Sequence, residues 1–108
     1  MTGANNQHIR ELNDLARQTL TGCRVLITLG VHALDATAAI LALVQQYSDF
    51  TPDNDPYAEH DFGSFRFAGE TIFWKFDYYD LDLTMHSPDP AEPDVTTRVL
   101  TILLGSEY

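Results

Sequence analysis

Two runs of strictly alternating residues, Ser64 to Ala68 and Thr71 to Tyr79, constrain the fold more than any other part of the chain. A period of two is the signature of a strand with one buried face. The intervening Gly69-Glu70 offers a tight turn, so the pair reads as an antiparallel hairpin. On its second strand Trp74, Phe76 and Tyr78 share one face, and Phe73, Lys75, Asp77 and Tyr79 share the other. The first set is the expected core. Leu81, Leu83 and Met85, alternating with Asp80, Asp82 and Thr84, predict a third antiparallel strand or a continuation past a bulge.

Helical periodicity brackets this hairpin. From His8 to Leu20, Ile9, Leu12, Leu15, Ala16 and Leu20 recur at helical spacing, with Arg10, Glu11, Asp14 and Arg17 assigned to the opposite face. Thr21-Gly22 ends that helix, with Gly22 suited to a left-handed position. Residues 1–5 read as a loose tail. Arg24 to Leu29 is a short β-branched strand candidate closed by Gly30, and Asp35 is placed to cap a second, almost wholly apolar helix from Ala36 to about Tyr47. Pro88, Pro90 and Pro93 make residues 87–93 an irregular connection. Beyond them Val99, Leu100, Ile102, Leu103 and Leu104 favour a final helix, with a doubly buried strand as the alternative. The order predicts one α+β domain over residues 1–108: a small antiparallel sheet with two to three helices on one face.

Charge narrows the function. The chain has 108 residues and a net charge of −10, and the excess lies entirely after residue 47, where Arg66, Lys75 and Arg98 face thirteen acids. Such a field repels phosphate backbones and anionic membrane surfaces, so direct nucleic-acid or membrane binding is not expected. A basic protein, a cation or solubility alone would account for it. Cys23 is a single cysteine with no partner for an internal disulfide, which fits a reducing compartment and a buried structural thiol. The polar start and the lack of a long apolar run lead to the expectation of a soluble cytoplasmic protein.

The densest polar segment is Asp53 to Gly63, with four carboxylates, a histidine and an amide in eleven residues. Asp53, Asp55, Glu59, His60 and Asp61 supply hard oxygen and imidazole donors for a divalent cation, but the calcium-loop template fails: Ala58 stands at position six and Ser64 at position twelve. Glu59 with His60, or His60 with Asp77, would make a base and its orienting carboxylate. The stronger reading is structural, with Asp53, Asn54 and Asp55 forming side-chain turns and His60 pinning the loop to Arg66 or Lys75. A recognition surface is the fourth reading. It combines rows of charge at Asp53/Asp55, Glu59/Asp61 and Asp80/Asp82 with Tyr57, Tyr78 and Tyr79 as anchors.

The strings NDPYAEHDFG (54–63), FWKFDYYD (73–80), SPDP (87–90) and RVLTILLGSEY (98–108) together resemble a family of small bacterial proteins of unknown function. That family is largely proteobacterial and often borne on plasmids or other mobile DNA. The similarity extends from the first helix to the C-terminus. Ala58 stands where Gly is expected, so that a left-handed turn there is not obligatory, and Gly105 stands where Ala is usual. The resemblance implies a fold, a bacterial cytoplasm and a mobile-element setting, without a mechanism.

The leading expectation is a non-enzymatic, acidic protein-binding module, in its sharp form a nucleic-acid mimic blocking a basic partner. Its binding set is Asp53, Asp55, Tyr57, Glu59, His60, Asp61, Tyr79, Asp80 and Asp82. The alternative is a metal-assisted hydrolase or other enzyme centred on Asp53, Asp55, Glu59, His60 and Asp61. A third is an assembly module that dimerises through the aromatic sheet face.

Overall fold

A computed structural model describes residues 2–108, with side chains from Asn5 onward. Helix α1 (Thr2–Thr19) leads into strand β1 (Arg24–Ile27), a single helical turn α2 (Leu29–His32) and helix α3 (Thr37–Gln46). After a long loop come β2 (Phe62–Phe67), β3 (Glu70–Tyr79) and β4 (Thr97–Leu104), with short 3-10 turns at Pro93–Val95 and Gly105–Glu107. The four strands form one sheet in the order β1-β4-β3-β2. The fold is α+β, with the sheet packed against helices on one face.

The hairpin forms as its alternation requires. Phe67 pairs with Glu70, so Ala68 and Gly69 make the two-residue turn, both at positive φ (52° and 81°). Arg66 braces this turn by donating to Gly69 O (2.9 Å) and Thr71 Oγ1 (3.0 Å). Trp74, Phe76 and Tyr78 point into the core with Ile72, joined by Leu100 and Ile102 of β4 and by Ile9, Ala16, Ile40 and Val44 of the helices.

Several expectations are corrected. The C-terminal apolar run is strand β4, not a helix, and it pairs antiparallel with β3 and parallel with β1, so the sheet is mixed. Its residues are covered on both faces by neighbouring side chains (Leu100 and Ile102 on one, Val99 and Leu103 on the other), which removes the alternation that announces a strand. Residues 81–85 are loop rather than strand: Asp80 closes a turn on Thr84, and only a bridge from Tyr79 to His86 follows. Asp35 does not cap α3. It sits at φ 56°, and the capping position falls on Ala36 with no side-chain bond. Helix α1 begins at Thr2, within the expected tail, while Met1 lies outside the described residues.

The largest correction concerns which side of α1 faces the sheet. Leu15 is 60% exposed, whereas Asn13 and Arg17 are 0% and 1% exposed. The buried stripe is Ile9, Asn13, Ala16 and Arg17, at helical spacing but half polar. Two buried polar side chains displace the leucines here because each finds several hydrogen-bond partners. Among the described residues no helix is long and apolar enough to cross a membrane.

Candidate functional site

Helix α1 grips the loop that precedes β2 one residue at a time. Arg10 donates to Ala58 O (3.1 Å), Asn13 to Glu59 O (3.0 Å), and Asp14 meets His60 Nδ1 at 2.8 Å. Arg17, one turn on, donates to Val44 O (2.9 Å), Gln45 O (3.2 Å) and Tyr47 O (2.9 Å). These carbonyls end α3, where a helix lacks internal partners and carries partial negative charge. Positions 10, 13, 14 and 17 are spaced as one helical face, so a polar stripe beside Ile9 and Ala16 was the available signal.

His60 is the hub of this contact. Its Nδ1 faces Asp14, its Nε2 lies 3.5 Å from Asp55, and its ring stacks on Phe50 with centroids 3.7 Å apart and planes at 5°. Asp55 is buried and also accepts from the His60 backbone N–H (3.2 Å). The pin therefore runs to Asp14 and Asp55 rather than to Arg66 or Lys75 as expected. Phe50 continues edge-on to Trp74, and the Arg17 guanidinium lies over both rings at 5.5 and 5.1 Å. Both imidazole nitrogens face carboxylates, so neither is presented to a substrate as a general base would be.

A second buried polar set adjoins the first. Asn13 donates to the Tyr78 hydroxyl (2.8 Å) and accepts from Arg98 Nε (2.8 Å), and Tyr78 donates to Glu59 Oε1 (3.2 Å). Arg98 also bonds Pro90 O and lies over the Tyr78 ring at 5.1 Å. Each of these four side chains has a partner, the condition under which buried polar groups stabilise. Burial pushes the Glu59 and Asp61 carboxyls above their ordinary range, with Asp61 adding to the effect on Glu59, and Asp55 and Asp77 to that on Asp61. Burial likewise raises the Cys23 thiol, in keeping with a structural role.

The loop is tight where the sequence left it free. Ala58 and His60 both take left-handed backbone, at φ 55° and 53°, and Asp55 O accepts the Ala58 N–H (3.1 Å). Ala58 thus occupies the glycine conformation, contrary to the expectation drawn from its identity.

The predicted site residues separate into two groups. Asp55, Glu59 and His60 are turned in and held, and Asp61 is half-buried beside them, with a shallow groove of about 350 Å³ between Phe50, Pro52, Asp55 and His60. Asp53, Tyr57 and Asp82 are exposed. Asp80 is spent on its turn, accepting from Thr84 N (3.0 Å) and Oγ1 (3.2 Å), which hold its carboxyl below the usual range. Asp77 and Tyr79 lie on the opposite sheet face, with Asp77 bound to Lys75 Nζ at 2.9 Å, so Glu59, His60 and Asp77 form no catalytic set. The metal alternative of Asp53, Asp55, His60 and Asp61 does not assemble either: among the described residues no three His, Cys, Asp or Glu side chains are grouped to hold an ion.

Residues 27–107 fit the model of a family described as a protein of unknown function, DUF3768, and the chain belongs to that family. The match starts at Ile27, so α1, which the sequence resemblance had included, lies outside it. Neither the curated proteins nor the solved structures give a match.

Proposed function

We propose that this DUF3768 protein is a non-enzymatic binding module that offers an acidic end to a basic protein partner. One observation carries the reading. The loops 47–61 and 80–96 meet at the same end of the sheet, where β2 and β4 begin and β3 ends. Together they hold ten acids (Asp49, Asp53, Asp55, Glu59, Asp61, Asp80, Asp82, Asp89, Glu92 and Asp94) and no Lys or Arg. An acidic end on a rigid frame, its loops braced from behind by Arg10 and Arg98, favours fast, salt-sensitive association with the opposite charge. The satisfied network of Asn13, Tyr78, Glu59 and Arg98 beneath it supports a docking platform better than a reaction centre.

The sharp form is a mimic of a phosphate backbone, working in a bacterial cytoplasm for a mobile element and occupying the groove of a nucleic-acid-binding enzyme. Support for that form is the sequence resemblance and the charge pattern. The immobilised chain should retain a basic protein from host lysate at low salt and release it as salt rises, and DNA should compete with the chain for that protein. A variant carrying Asp53→Asn, Asp82→Asn, Asp89→Asn and Asp94→Asn should lose retention without losing fold. Equal retention by that variant, or recovery of an acidic protein, would overturn the proposal.

A further inference from the structure

Helices cover one sheet face; among the described residues the other has no second layer. Its surface is apolar at the centre and unlike the rest of this acidic chain in charge. Of the six Lys and Arg residues, Arg17 and Arg98 are buried and Arg10 is bound to the loop, while Arg24, Arg66 and Lys75 lie on this face. Leu26 (54% exposed) and Leu83 border a groove of about 380 Å³ that crosses β1, β4 and β3 over Val99 and Thr101. Tyr108 flanks it beyond Leu103, packing on Phe73 with centroids 5.3 Å apart.

We infer that the occupant of this face is a second copy of the chain, packed sheet to sheet about a two-fold axis that runs along β4. The strand register argues for it. Arg24 pairs with Val99, and Val99 with Asp77, so these three stand in one row across β1, β4 and β3. Leu26, Thr101 and Lys75 form the next row. Rotation about β4 keeps each row at its height and exchanges β1 with β3. Arg24 of each copy then stands over Asp77 of the other, twice per dimer, and Thr101 meets its own counterpart, above the buried Val99. The Lys75 stem meets the partner's Leu26, which suits its apolar part. A C2 interface demands this reciprocity, and a face with charges placed at random would not supply it.

Area sets the strength. An axis along β4 overlays three strands, β4 on itself and β1 on the partner's β3 twice over, and leaves β2 outside. At about 4.8 Å spacing and about 25 Å length these give at most roughly 350 Å² per copy, so about 700 Å² for the pair. That is smaller than a standard specific interface, which makes a weak, reversible dimer at high concentration the expected state. Loop 80–96 reaches this groove through Leu83, but Asp53, Asp82, Asp89 and Asp94 do not line it, so neutralising those acids tests the loop reading without touching the dimer.

Sedimentation velocity of the full chain across a wide concentration range tests this, with circular dichroism to verify folding. The expected result is a monomer–dimer equilibrium that Leu26→Glu and Arg24→Glu each weaken at least tenfold, both positions being exposed and outside the core. Adding Asp77→Arg to Arg24→Glu should recover most of the affinity. A chain that stays monomeric at every concentration overturns the proposal, because the face then serves another occupant. So does a dimer that neither substitution weakens, and so does a pair of reversed charges that fails to restore it.

Discussion

Single side chains in the loop before β2 work against their own preferences, and the cost is measurable. Ala58 at φ 55° crowds its Cβ against the backbone, a strain that glycine lacks. Ala58→Gly should raise the thermal midpoint by about 2–5 °C, or about 0.5–1 kcal/mol. Glu59 gives a pH-dependent companion test. Its folded pKa lies above the ordinary 4.5, first because burial penalises the charge and then because Asp61 is near. The folded chain therefore holds more protons than the unfolded one between the ordinary and the raised value. Its contribution to stability falls as pH climbs through that window, and the deficit persists above it. Glu59→Gln keeps an acceptor for the Tyr78 hydroxyl, so it should raise the midpoint at neutral pH and leave it unchanged at about pH 3. Asp80 and Glu107 act in the opposite sense. Backbone and hydroxyl donors lower their pKa values, and their stabilisation is lost as pH falls below the ordinary carboxyl range.

At the scale of elements, α1 separates what periodicity reveals from what it hides. Its apolar spacing correctly announced a helix but placed Leu15 inside and Arg17 outside, because a hydrophobic count gives a buried amide no credit. Leu15→Ala should cost less than about 0.5 kcal/mol, and Asn13→Ala about 2–4 kcal/mol, in urea titrations of the two variants. The larger loss comes from leaving Arg98 Nε without this acceptor and both the Tyr78 hydroxyl and Glu59 O without their donor. The hairpin was legible in its strands, since Trp74, Phe76 and Tyr78 alternate cleanly, but the turn falls at Ala68-Gly69 rather than the expected Gly69-Glu70, because Ala68 takes the left-handed conformation and Glu70 opens β3. Strand β4 was not, because burial on both faces erases the period that tells strand from helix. His60 was legible as a hub, but its partner Asp14 stands 46 residues away, beyond the reach of any local pattern. Of the acids assigned to the charge rows, Asp53 and Asp82 are exposed while Asp55 and Glu59 turn inward, Asp61 is half-buried and Asp80 closes its own turn, a division that charge alone does not carry.

For the whole molecule, a net charge of −10 on 108 residues makes self-repulsion a standing load on the folded state. Raising ionic strength with a neutral salt should raise the thermal midpoint steeply at first and then level off as the Debye length falls below the spacing of the end-loop acids. Neutralising Asp53, Asp82, Asp89 and Asp94 together should flatten that curve. The molecule is held at its seams by directed bonds as much as by apolar contact, and nowhere more than along α1. A greasy helix laid on a sheet has several nearly equal settings, a residue or a turn apart. Arg10, Asn13, Asp14 and Arg17 act as indexing pins, each with a hole at one setting only. A residue inserted or deleted between Leu20 and Cys23 would accordingly be absorbed in that connector as slack or tension, while the helix kept its seat.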